Sequence, residues 1–93
     1  MVFTVVVNLY AKDGKDVEEQ LRAKLIEASQ TYSKDAGVLG WHPMQNTSDS
    51  RKWTIVERYE QESNAAYKSF AGALIALLEN GQDSLDVHQF NEL

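Results

Sequence analysis

Val2 to Tyr10 places the strongest constraint on how this chain can fold. The run is rich in β-branched residues and reads as a strand. Alternation puts Phe3, Val5, Val7 and Leu9 on one side and Val2, Thr4, Val6, Asn8 and Tyr10 on the other. Both sets are largely apolar, so both sides of this strand need cover. The chain has 93 residues, enough for one domain, residues 1–93, and one core. A single layer of helices can cover one side of a sheet; the other side needs something else.

The remaining elements follow from period and punctuation. Lys12-Asp13-Gly14-Lys15 is a turn, with Asp16 as the expected N-cap of a helix. From Val17 to about Ala36, apolar residues recur at Val17, Leu21, Leu25, Ala28 and Tyr32, a helical stripe. Gly37 is the expected stop, and Val38 to Thr47 is extended. Pro43 cannot donate to a ladder, so that strand is an edge, bulged or broken there. Ser48 to Arg51 is a hairpin loop, and Trp53 to Tyr59 is a strand. Ser63 opens a second helix with Ala66, Phe70, Ala73, Leu74, Leu77 and Leu78 on one face, ending at Asn80-Gly81. Leu85 to Phe90 is a short last strand.

The order β-α-β-β-α-β predicts an α+β, ferredoxin-like fold with an antiparallel sheet and two helices on one face. The uncovered apolar face would be an aggregation liability in a monomer. A second copy packed sheet to sheet removes it, so the expectation is a homodimer.

Glu57 stands out within this frame. Strand alternation places its carboxylate beside Trp53, Ile55 and Tyr59. An unpaired carboxylate among aromatics costs several kcal/mol or changes its protonation, so a partner or a pocket is expected there.

In this order the chain resembles the antibiotic biosynthesis monooxygenase family of dimeric α+β barrels. The resemblance covers nearly the whole chain. It rests on the Lys12-Asp13-Gly14-Lys15 turn after strand one, the long amphipathic helix, the Ala36-Gly-Val-Leu-Gly-Trp41 exit, and Trp53-Thr-Ile-Val-Glu-Arg-Tyr-Glu60. The family is functionally mixed. Its best understood members oxygenate an aromatic polyol or enol without flavin, metal or haem. The resemblance therefore implies a small aromatic or polyketide-type substrate, O2 and no cofactor. Many members carry a histidine early in the second helix, where this chain has Tyr67 and Lys68. The haem-degrading branch also wants an axial histidine on that helix. Asn8 and Trp41 or Trp53 match its other two parts, but the ligand itself is missing. A non-catalytic, ligand-binding or stress-related barrel is the alternative within the same fold.

The candidate catalytic residues are Glu57, Asn8 and Tyr67. Glu57 would accept a substrate proton; its structural alternative is a carboxylate paired with Arg58 or Lys52. Asn8 offers both donor and acceptor to a substrate oxygen, or equally to a backbone group at the turn. Tyr67 would hydrogen-bond an anionic oxygen or relay a proton, or simply pack. Trp41, Trp53, Tyr59 and Phe70 are expected as pocket wall or core. His88 would reach either the pocket or the dimer interface.

Composition excludes several other classes. With no cysteine there is no disulfide, thiol catalysis or thiolate metal site. His42 and His88 have no ligand-spaced neighbours, so no metal is expected. A net charge of −5 with no basic run argues against nucleic acid and against an anionic membrane surface. No stretch approaches the roughly 18 apolar residues of a membrane span, and the apolar start lacks the positive flank of a signal peptide. A cytoplasmic location is the resulting expectation.

Overall fold

The computed structural model describes residues 1–65 and 74–93. The expected second helix falls largely on 66–73, so Tyr67 and Phe70 lie outside the described residues. Four strands form one antiparallel sheet: β1 (Phe3–Tyr10), β2 (Val38–Gln45), β3 (Lys52–Tyr59) and β4 (Asp86–Asn91), in the order β2-β3-β1-β4. Among the described residues there is one α-helix, α1 (Lys15–Tyr32), which crosses between β1 and β2. Between β3 and β4 the described residues include 3-10 turns at Glu62–Ala65, Ile75–Leu77 and Gly81–Ser84. This is the ferredoxin-like arrangement that the element order predicts.

Register decides which residues meet. β1 lies between β3 and β4, with Val5 opposite Glu57 and Gln89, and Asn8 opposite Thr54 and Asp86. The helix side of the sheet therefore carries Phe3, Val5, Val7 and Leu9 of β1 with Trp53, Ile55, Glu57 and Tyr59 of β3. The open side carries Thr4, Val6, Asn8 and Tyr10 with Lys52, Thr54, Val56 and Arg58. β2 adds Trp41, Pro43 and Gln45 to the helix side, and His42 and Met44 to the open side.

The core is built on the helix side. Leu21, Leu25 and Ala28 of α1 are buried against Leu9, Trp41, Trp53 and Ile55, with Val17 and Tyr32 packed at the ends of the stripe. Each fully buried leucine contributes about 1.5–3 kcal/mol of transfer free energy, so this stripe holds α1 in place. Leu74, Leu77 and Leu78 close the same cluster. The Lys12 amide donates to the Leu77 carbonyl and the Glu79 amide to the Tyr10 carbonyl, each at 2.8 Å, tying that segment to the end of β1.

Two local expectations are corrected. The helix begins at Lys15, and Gly14 (φ 125°), not Asp16, holds the cap position, with no side-chain cap bond. Glycine admits a backbone that other residues avoid, so the chain enters the helix two residues early. Asp16 instead joins Glu18 in the first turn, where negative charge complements the helix dipole. The helix also ends at Tyr32, four residues short, and passes through successive turns before Gly37 (φ 78°) leads into β2. Thr31 and Ser33 favour such endings because their hydroxyls compete for backbone groups. The Pro43 expectation is met by its edge alternative, and the irregularity in β2 lies between Val38 and Gly40. Pro43 is accommodated because β2 is an edge strand.

Candidate functional site

At the end of the sheet where α1 gives way to β2, four elements bring polar and aromatic groups together on the helix side. Tyr59 is 1% exposed, and its hydroxyl donates to Oε1 of Glu57, two residues back on the same face of β3. Glu57 is only partly buried and lies between Val5 of β1 and Trp41 of β2 in the ladder. The ring of Tyr32, from the last turn of α1, tilts against Trp41 with centroids 5.6 Å apart. Ser29 Oγ donates to the Trp41 carbonyl at 3.0 Å and fixes α1 against β2. Asp35, in the turns after α1, completes the group.

The electrostatics assign the proton. Burial pushes the Tyr59 phenol well above the ordinary tyrosine range; Glu57, Asp35 and Tyr32 push it further the same way. Tyr59 is therefore a neutral donor and Glu57 its acceptor. A carboxylate held this way, with an indole and two phenol rings around it, is equipped to take a proton from an acidic hydroxyl brought beside it.

The sequence-derived candidates divide between the two sides of the sheet. Glu57, Tyr59 and Trp41 come together as described. Trp53 shares their face but lies four residues along β3, roughly 13 Å away at strand spacing, with Ile55 between. It is 5% exposed and packs in the core, with the Arg22 guanidinium 5.7 Å from its ring centroid. Among the described residues its indole N–H has no acceptor. Asn8 is on the open side, where its Oδ1 accepts from Thr54 Oγ1 at 2.9 Å. His88 is there too, with Nε2 2.8 Å from Asp86 Oδ2. Neither joins Glu57. His42 is also on the open side, so neither imidazole shares the face of Glu57. Among the described residues no cluster of histidine and carboxylate groups could hold a metal ion.

Sequence reasoning missed Tyr32 and Asp35 as members of the site. Tyr32 reads as the last position of the apolar helix stripe. Asp35 carries no periodic signal, and its position depends on the early end of α1.

A four-stranded antiparallel sheet crossed by one long helix is an α+β fold. The chain has the fold of the antibiotic biosynthesis monooxygenases, as the sequence resemblance implies. A provisional member of that family from Nitrosomonas europaea superposes with a TM-score of 0.84 at 12% identity, over 98% of each chain. SnoaB, a cofactor-independent oxygenase from Streptomyces nogalater, superposes at 0.77 and 9% identity, covering 98% of this chain and 92% of its own. A Bacteroides thetaiotaomicron protein of unknown function superposes at 0.79 and 12% identity, over 96% and 95%. No family sequence model and no curated protein sequence matches the chain. No helix among the described residues is long and apolar enough to cross a membrane.

Proposed function

We propose that this protein is a cofactor-independent monooxygenase that oxidises a small aromatic or polyketide-type molecule with O2. The observation that carries the reading is the Tyr59–Glu57 pair, a carboxylate oriented by a neutral phenol among aromatic walls. Glu57 would take the proton of a substrate hydroxyl or enol. The substrate anion would pass one electron to O2, and the radical pair would join as a peroxide. Loss of water from that peroxide leaves the quinone, so one O2 yields one carbonyl oxygen and one water. The protein's part is to desolvate the substrate and hold its anion. Tyr67 and Phe70 belong to the same proposal as a further hydrogen-bonding group and wall. Asn8 and His88 would act only from the other side of the sheet, so they are the less favoured members of the set.

A homodimer and a cytoplasmic location belong to the same reading. Val6 and Val56 pair on the open face, beside Phe90 (52% exposed) and Met44 (46% exposed). A second copy laid across this face would bury them. Oxygen uptake by metal-free protein across a panel of hydroquinones and anthrones tests the chemistry. Turnover above the buffer rate is the expected result, and its absence across the panel sinks the proposal. The competing reading is a non-catalytic barrel that binds a small ligand beside the same pair. It is favoured by the partly buried Glu57 carboxylate, which suits a ligand hydroxyl as well as a reacting one. Under it, Glu57→Gln would change affinity or stability and no rate.

A further inference from the structure

The open face of the sheet is laid out in rows of cross-strand partners. Thr4, Arg58 and Phe90 form the first row, and His42, Val56, Val6 and His88 the second. Met44, Thr54, Asn8 and Asp86 form the third, and Lys52 and Tyr10 the last. The second row crosses all four strands and carries the chain's two histidines at its ends, with the valine pair between them. At strand spacing it is about 14 Å long. A second copy packed over Val6 and Val56 therefore covers the imidazoles with them.

The two histidines differ in their surroundings. His88 Nε2 lies 2.8 Å from Asp86 Oδ2, so an imidazolium there has its own counter-ion. Among the described residues His42 bonds to no carboxylate. Its ring folds back along β2 over Gly40, where a β-carbon would lie 2.5 Å from Nε2. Gly40 is the ladder partner of Arg58, so the neighbouring charge across the ladder is a cation. Arg58 already gives Nε and Nη2 to Glu92, at 2.8 and 2.9 Å. The other titratable groups in the rows, Lys52 of β3, Tyr10 of β1 and Asp86 of β4, stand in rows three and four. The two carboxylates bonded on this face, Asp86 and Glu92, are thus matched, and an identical copy brings the same two matched in the same way. In one copy alone His42 is exposed, and water can solvate its charge.

We propose that His42 is a pH switch for assembly: neutral, it is accommodated between two copies packed on this face, and protonated it separates them. The inference rests on the homodimer of the proposed function. Histidine changes charge between about pH 5 and pH 8. An imidazolium moved from water into an interface without a counter-ion, beside a cation, is disfavoured. The separated copy therefore takes up the proton more readily than the dimer does. Falling pH then favours separation, with uptake of as many as two protons per dimer. The Arg58–Glu92 link does not contribute, because Glu92, drawn down to about 2, stays ionised throughout this range.

The test is sedimentation equilibrium of the full chain over a concentration series at pH 8 and pH 5.5, with circular dichroism confirming the same fold at both. The parent should be a dimer at pH 8, with a dissociation constant at least tenfold higher at pH 5.5. His42→Gln, which cannot take the charge, should dimerise at pH 8 and change less than threefold. His88→Gln should keep the parent's response, since His88 has Asp86. A parent that is dimeric at pH 8 and equally so at pH 5.5 overturns the switch and leaves the dimer standing. A tenfold response that survives in His42→Gln, or that vanishes in His88→Gln, overturns the assignment to His42. A parent that is monomeric at pH 8 removes the dimer itself, and the switch with it.

Discussion

The hydroxyl of Tyr59 donates to the carboxylate of Glu57, its neighbour but one on the helix face of β3. Burial and that carboxylate together hold the phenol neutral, so its state reports on the pair. In Glu57→Gln the Tyr59 titration should move down toward pH 10, the ordinary tyrosine value, yet stay above it because burial is the larger cause. Absorbance near 295 nm during alkaline titration reads this directly. A phenol that titrates identically in both proteins would show that the pair does not form in solution.

The same shift has a consequence for stability. The phenol is harder to ionise in the folded protein than in the unfolded chain, so its contribution is complete below about pH 10 and is lost as the pH rises beyond it. Thermal unfolding followed between pH 8 and pH 11 should show stability falling from about pH 10 upward. Tyr59→Phe, which has nothing to ionise, should fall less steeply over that range. Parallel curves would contradict the burial argument.

Glu92 works in the opposite sense. Hydrogen bonds from Arg58, at 2.8 and 2.9 Å, and then from Thr4 pull its carboxyl down to about 2 from a reference of 4.5. A lowered value means that this link is present above about pH 4.5 and is lost as the pH falls toward 2. Glu92→Gln should therefore be less stable than the parent at pH 6 and no less stable at pH 2. Melting curves at the two pH values measure it.

Gly37 is held by two independent requirements. Its φ of 78° is costly for any other residue, by roughly 1–2 kcal/mol, and a methyl group there would overlap the Asn64 side-chain amide. Gly37→Ala should therefore lose more than about 2 kcal/mol in urea unfolding. Adding Asn64→Ala should restore the steric part and leave the backbone part. Full recovery in the double variant would show that backbone conformation contributes nothing.

The open face gives a prediction about assembly. Val6 and Val56 are direct partners near its centre. Val56→Lys puts a charge where a second copy would lie, and like-charged groups facing each other across the axis would repel. Sedimentation at micromolar concentration should show a dimer for the parent and a monomer for the variant. A parent that sediments as a monomer removes the dimer from the proposed function.

Periodicity alone made most of the scaffold legible. The stripe Val17, Leu21, Leu25, Ala28 and Tyr32 is the set that α1 buries, and the β-branched runs are the strands. Alternation also tells which residues share a face within one strand. It does not tell which face of a distant strand they join, because β1 and β3 are not linked by a hairpin whose turn would fix their register. Asn8 and Glu57 were each visible as polar residues in apolar strands, but their separation onto opposite sides was not. Asp35 was harder still, since its position depends on where a helix stops, and helix ends are decided by competing local hydrogen bonds.

That separation leaves a single thickness of peptide between the Glu57–Tyr59 pair and the open face. In β1 and β3, odd-numbered residues lie on the helix side and even-numbered ones on the open side. A substitution that keeps to one parity therefore alters one side of the sheet and leaves the other as it is. An inserted residue in either strand would exchange the two and forfeit both.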